Sequence, residues 1–231
     1  MPLSLDSALA ALRQGAWWAA APQELQDFVR AAGRLRRVPA GQALFARGAS
    51  PDGLYALVSG AVRITGVGAQ GQETILALLE PPQWFGEIAV FDRAPRTHDA
   101  QVAQDATLVW VPQALLLDWL EDHPAAWAAL GRLMAAHLRL MFAALEEQVQ
   151  LPPAQRLARR LVQMAQGYGG LQGRSQRVLQ VSQDELGRML GLSRQTVNQC
   201  LQALQAQGLL HGSRGAIEVL DLARLRQAGG E

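Results

Sequence analysis

The chain has 231 residues, 49% of them hydrophobic, and its 21 Arg and 20 acidic side chains leave a formal net charge of +1. That length and apolar content suit one large or two ordinary folded domains and exclude a disordered chain. No uninterrupted apolar run approaches the ~18 residues of a membrane span, and Asp6 and Arg13 interrupt the N-terminal stretch a secretory leader would need, so a cytoplasmic protein with no membrane partner is expected. Residues 1–31, with the segments SLDSALAALRQ and APQELQDFVRAA, read as one or two short helices broken by Gly15 and Pro22. Trp17 and Trp18, between them, are read as packing rather than as a stacking site.

From Leu35 the period becomes strand-like. Gly41, Gly48, Gly53, Gly60, Gly66 and Gly71 recur between short apolar runs, which is the pattern of an antiparallel barrel or jelly roll whose interior can hold a small ligand. A short helix over 113–120 follows. His123-Pro124 then opens a long helix that Pro152-Pro153 must end. Along it Leu130, Leu133, Met134, His137, Leu138, Met141, Leu145 and Val149 form a stripe about four heptads long, with Arg132, Arg139, Glu146 and Glu147 outside it. We read this stripe as a parallel homodimer seam, with coverage of the barrel as the alternative, and His137 as a packing residue rather than a haem ligand or pH sensor.

The C-terminal part carries the most specific local pattern. A helix with Arg156, Arg159 and Arg160 is expected over 154–165, followed by a turn or short strand pair. Ser182 with Glu185 forms a capping box that starts a helix bearing Leu186, Met189 and Leu190 on its buried face. Gly191 stops it, and Ser193 can cap a second helix with Val197, Cys200, Leu201 and Leu204 on one side and Gln195, Asn198, Gln199 and Gln202 on the other. Gly187 is small where two crossing helices must touch, and Leu192 fills the gap between them. This is a helix-turn-helix. Its outward face holds Arg and uncharged amides, the side chains that read base edges, whereas an ordinary helical hairpin would mix acids and bases. Arg194, Gln195 and Gln199 should enter the major groove beside Asn198, while Ser182, Ser193, Thr196 and Arg214 suit phosphate contacts. Residues 209–219 read as a two-stranded wing closed by a Gly-rich turn. Charge agrees with this division: residues 152–231 hold 10 Arg against 5 acids and residues 1–151 hold 11 Arg against 15, as expected when only one domain meets phosphate. The lone Cys200 can supply neither an intramolecular disulfide nor a four-cysteine zinc or iron–sulfur site, so no metal site or iron–sulfur cluster is expected.

The run Pro39-Ala40-Gly41, Leu44-Phe45, Gly48, Asp52, Leu54-Tyr55 and Ser59-Gly60-Ala61-Val62 resembles a cyclic-nucleotide-binding domain. Followed by the helix-turn-helix, it makes nearly the whole chain similar to the Crp/Fnr superfamily of bacterial transcription regulators. Phe85-Gly86-Glu87-Ile88-Ala89 with Arg96-Thr97 is similar to that family's phosphate-binding cassette. Backbone N–H groups opening a short helix attract an anion, Gly86 permits close approach, and Arg96 offers a fork of donors. The resemblance implies the ribose 2′-hydroxyl for Glu87, the cyclic phosphate for Arg96 and a further phosphate donor in Thr97. It puts Met141 and Phe142 where catabolite-activator-type members have two hydroxyl residues against the adenine; neither can bond to an exocyclic amine. His98-Asp99 also departs from the family, and if that acid pointed into the pocket it would oppose an anionic ligand by ~1 kcal/mol or more. In the competing reading Glu87 and Arg96 merely pair to brace the barrel.

The expectation is thus an α+β protein. Residues 1–122 form a β-barrel or jelly-roll sensor, 123–151 a dimerisation helix and 152–231 a winged helix-turn-helix. Its partners are double-stranded DNA at a palindromic site with half-sites roughly 34 Å apart, a second copy of the chain and a small effector, a cyclic nucleotide being the candidate cofactor. The resemblance adds RNA polymerase. No nucleophile–base pair is visible, so the chain is not expected to be an enzyme. Two alternatives stay open: a regulator of the same build without a diffusible ligand, and a nucleotide-binding module governing another protein.

Overall fold

The computed structural model describes residues 3–68, 71–171, 174–213 and 215–230. Contacts divide the chain into two compact units, one of Met1–Gly66, Ala77–Arg139 and Gly170–Gln172, the other of Val67–Leu76, Leu140–Gly169 and Gly173–Glu231. The N-terminal helices are α1 (Leu5–Leu12), α2 (Ala16–Ala19) and α3 (Gln23–Ala32). Strands β1 (Arg34–Val38), β2 (Ala43–Phe45), β3 (Gly53–Val67), β4 (Glu73–Leu79), β5 (Gln83–Phe85), the helix α4 (Ile88–Asp92) and β6 (Asp99–Pro112) follow. Then come α5 (Gln113–Glu121), α6 (Pro124–Gln150), α7 (Pro153–Ala165), β7 (Val178–Leu179), α8 (Gln183–Leu190), α9 (Arg194–Ala206), β8 (Leu210–Ser213), β9 (Ala216–Val219) and α10 (Leu222–Ala228).

The expected antiparallel sheet is present. β3 and β6 are its long members, 15 and 14 residues, and they pair along most of their length, Gly53 opposite Pro112 at one end and Thr65 opposite Asp99 at the other. β1 and β2 extend the β6 side, while β4 and β5 extend the β3 side. Alternation along β3 and β6 sends Tyr55, Leu57, Val62, Val102 and Leu108 into one apolar cluster and Leu54, Ala56, Val109 and Val111 into another. The second cluster is sealed by α1, α3, α5 and the first half of α6 through Leu9, Leu12, Leu25, Val29, Leu116, Leu120 and Leu130. Trp18 and Trp84 pack within it, ring centroids 4.8 Å apart, and Trp17 meets Trp84 edge-on while its indole N–H donates to Ala129 O at 2.7 Å. The tryptophans are packing residues, as read from sequence.

The long helix departs from the single seam read from its stripe. Leu130 and Leu133 belong to the core of the first unit with Ala126 and Ala129, so the N-terminal half of α6 covers the sheet. Only beyond it are Leu138, Met141, Phe142, Leu145 and Val149 exposed, by 48 to 81%. Glu147, expected outside, is buried because Arg159 and Gln163 of α7 both donate to its carboxylate. By length and average composition α6 would also suffice to cross a bilayer, a property that a search for uninterrupted apolar runs misses. Arg132, His137 and Arg139 in its middle, together with its packing on the sheet, assign its apolar face to protein instead.

In the second unit Ser182 accepts from the Glu185 amide and Glu185 returns a carboxylate to the Ser182 backbone, completing the capping box of α8. Gly191 ends that helix at φ 63°, and Leu192 N–H closes back on Gly187 O at 3.0 Å. Ser193 caps α9 by accepting from the Thr196 amide at 3.1 Å. The wing strands β8 and β9 pair as expected, and β7 adds a third strand on the far side of β9. Neither β7 nor α10 was read from the sequence.

Candidate functional site

The turn between β5 and α4 brings Gly86, Glu87, Ile88 and Ala89 together with Arg96 from the segment entering β6. Gly86 has φ 93°, and a Cβ there would stand 2.9 Å from Arg96 Nη1, so both the backbone and the space require glycine. Gln113 Nε2 donates to Ala89 O at 3.0 Å and fixes α4 against α5. Ala89 is buried and Ile88 exposed.

Glu87 and Arg96 are both 4% exposed. They do not pair with each other, which removes the simple brace considered above. Arg96 Nη2 donates to Asp52 Oδ1 at 2.8 Å and to Gly53 O at 2.6 Å, and Nη1 donates to Gly86 O at 3.1 Å. The guanidinium also lies 4.2 Å over the Phe45 ring, within a cluster of Phe45, Tyr55 and Phe85. Glu87 instead meets His137 of α6, with Nδ1 2.7 Å from Oε1. Thr97 is exposed, its hydroxyl 3.0 Å from His98 Nδ1. Burial holds His98 below the ordinary histidine value, the Arg47 charge adding to this and Asp99 opposing it.

The acid that confronts the arginine is therefore not Asp99. Asp99 turns away to accept the Arg47 backbone N–H at 2.8 Å. Asp52 faces Arg96, and its other oxygen accepts the Tyr55 hydroxyl and lies 3.7 Å from Arg36. Burial, and then the hydrogen bond to Asp52, push the Tyr55 hydroxyl well above its ordinary pKa, so it stays protonated and donates. Sequence reasoning missed Asp52, Tyr55 and His137 as members of the site. The first two lay in the quoted family run, where they served only as markers of the strand, and His137 lay on the apolar stripe. Met141 and Phe142 are exposed one turn beyond His137. Among the described residues no cluster of His, Cys, Asp and Glu could hold a metal ion.

At the other candidate interface Arg194, Gln195 and Gln199 are exposed on α9, while Asn198 is half-buried and donates to Gln183 Oε1 of α8 at 3.3 Å. The hydroxyls of Ser182, Ser193 and Thr196 are engaged in the two caps, Ser182 donating to Glu185 at 2.8 Å and Ser193 lying 2.8 Å from the Thr196 hydroxyl. Arg214 of the wing lies outside the described residues. Cys200 lies on the buried face of α9, where burial pushes its thiol pKa up. Much of the basic excess is structural: Arg159 donates to the Gly229 and Gly230 carbonyls, and Arg177 pairs with Glu218.

Residues 35–123 match the cyclic nucleotide-binding domain family, and residues 155–228 match the Crp-like helix-turn-helix domain. The chain is 31% identical over 188 residues to the CRP-like cAMP-activated global transcriptional regulator of Mycobacterium tuberculosis, covering 81% of this chain and 84% of that one. It is 30% identical over 208 residues to the cyclic AMP receptor protein of Thermus thermophilus, covering 90% and 93%. Among solved structures, FixK2 from Bradyrhizobium japonicum is similar with a TM-score of 0.75 over 85% of this chain and 96% of that one, at 20% identity, which is a likeness of fold.

Proposed function

The chain belongs to the Crp/Fnr superfamily of DNA-binding transcription regulators, and from that premise we propose that it acts in the cytoplasm as a homodimer on a palindromic operator, under a small anionic effector held in the barrel. Its functional divisions are 1–122 for sensing, 123–151 for pairing and 152–231 for DNA. RNA polymerase is the second macromolecular partner, and the chain binds rather than catalyses. The observation that carries the DNA reading is the exposed row Arg194, Gln195 and Gln199 on a doubly capped helix pair. Arg there suits guanine and Gln suits adenine, whereas the capping hydroxyls of Ser182, Ser193 and Thr196, and the Arg214 side chain, suit phosphates by their chemistry.

The effector reading rests on Glu87 and Arg96, each buried, charged and next to Gly86. Gly86, Ile88, Ala89 and Thr97 supply the remaining contacts. The relatives named above are described as cyclic AMP regulators, which makes cyclic AMP the first ligand to test. An effector regulates only through unequal affinity for the DNA-competent and DNA-incompetent arrangements.

Selection of bound duplexes from a random pool, with footprinting of the enriched sequence, tests the DNA reading. A two-fold symmetric footprint is expected, and Arg194→Ala should weaken it by ~1–3 kcal/mol while leaving non-specific binding at low salt intact. An asymmetric site, or a footprint unchanged by Arg194→Ala, would refute the assignment. Calorimetry with cyclic AMP, cyclic GMP and cyclic di-GMP tests the effector, and silence for all three would favour a regulator of the same build without a diffusible ligand.

A further inference from the structure

The Asp52 carboxylate sits between two guanidinium groups and a phenol. One oxygen accepts from Arg96 Nη2 at 2.8 Å; the other accepts from Tyr55 and lies 3.7 Å from Arg36 Nη1. These are the donors that suit a phosphate oxygen. The Arg96 side chain is 3% exposed, and a charge that deep requires a compensating anion whether or not a ligand is present. Its Nε is buried with no hydrogen-bond partner, so the guanidinium keeps one donor that Asp52 does not satisfy. Asp52 is differently placed. Its side chain is 38% exposed, so it can turn into water at small cost while Arg96 cannot.

We propose that Asp52 is a resident anion that holds the phosphate-binding arginine in the empty protein, and that an anionic effector binds by displacing it, so that Asp52 sets the affinity threshold of the site. The inference rests on the reading of the barrel as an effector site and adds the residue that opposes the effector. A phosphate arriving at Arg96 meets the Asp52 charge at short range, a repulsion that grows as the effective dielectric falls away from that of water. Arg36, stacked 3.4 Å over the Trp110 ring, is placed to take over the released carboxylate. An uncharged nucleoside makes no claim on Arg96 and has nothing to displace.

The test is titration of the full chain with cyclic AMP, cyclic GMP and adenosine, for the wild type, Asp52→Asn and Asp52→Ser, with melting temperatures to confirm folding. Asn keeps the shape and the acceptor for Tyr55, and Ser provides a second route should Asn disturb the turn. Both folded variants are expected to bind the cyclic nucleotides about tenfold tighter than the wild type, with adenosine binding unchanged. Cyclic nucleotide binding that is equal or weaker in the variants overturns the role of Asp52 while the effector reading stands. An equal gain for adenosine also overturns it, because it marks a loosened pocket rather than a removed charge. Absence of cyclic nucleotide binding in all three proteins overturns the effector reading, and this inference with it.

Discussion

Glu80, between β4 and β5, is a half-buried acid, and desolvation pushes its pKa from 4.5 up to about 7. In the unfolded chain it ionises near 4.5, so between that value and about 7 the folded state binds more protons than the unfolded one. Its contribution to stability is therefore intact below pH 4.5 and is lost as pH rises through about 7. Glu80→Gln should raise the melting temperature by several degrees above pH 7 and leave it unchanged near pH 4.5, as read by paired thermal melts across that range. A pH-independent difference would mean that the carboxylate is not desolvated. Glu80 carries no sequence signal, and the residues of the candidate site divide along the same line. Glu87 and Arg96 were legible because the turn that presents them is local, Gly86 and a short helix lying beside them in sequence. Asp52 and His137 reach the site from 44 and 50 residues away, and no periodicity encodes a contact made by a strand entrance or by a helix from another layer.

Among the elements, α8 and α9 were read almost to the residue because their limits are set by side chains within four positions, Ser182 with Glu185 and Ser193 with Thr196. The same locality permits a graded test. Gly191 sits at φ 63° with only Gln148 Nε2, 3.8 Å away, near the position of a Cβ, so Gly191→Ala should cost the left-handed backbone penalty of about 1–2 kcal/mol and no clash. At Gly187 a Cβ would stand 2.8 Å from the Leu192 carbonyl, part of the backbone, and a larger side chain must force the two helices apart. Urea melts should therefore find Gly191→Ala mildly destabilised with its operator footprint intact, and Gly187→Leu without sequence-specific binding. A Gly187→Leu variant with a normal footprint would show that the helices do not need that close approach. The stripe on α6 was legible as apolar but not as divided. Periodicity says which residues share a face, whereas what covers that face depends on the neighbours each turn meets, and Leu133 meets the sheet core while Leu145 is 62% exposed.

At the scale of the molecule, Leu138, Met141, Phe142, Leu145 and Val149 lie exposed along the last three turns of a 27-residue helix. Singly exposed apolar side chains are ordinary, but a continuous row at helical spacing presents a surface that water does not favour, and an identical helix supplies a complementary row. Pairing through this row would give two recognition helices related by a two-fold axis, which ties oligomeric state to operator symmetry. Leu145 is the residue to test, because it stands one turn beyond the positions assigned to a base. In the wild type, light scattering on the eluting peak should report twice the chain mass, and Leu145→Asp, which sets two carboxylates against each other in the seam, should report one. The monomer keeps both helix caps and its Arg194, so its contact with an isolated half-site should persist at low salt, whereas binding to the full palindrome should fall by about a hundredfold or more, since the second half-site is then no longer tethered. A dimeric Leu145→Asp variant would place the subunit contact elsewhere. Palindrome binding undiminished in a monomer would break the link between the helix and the operator.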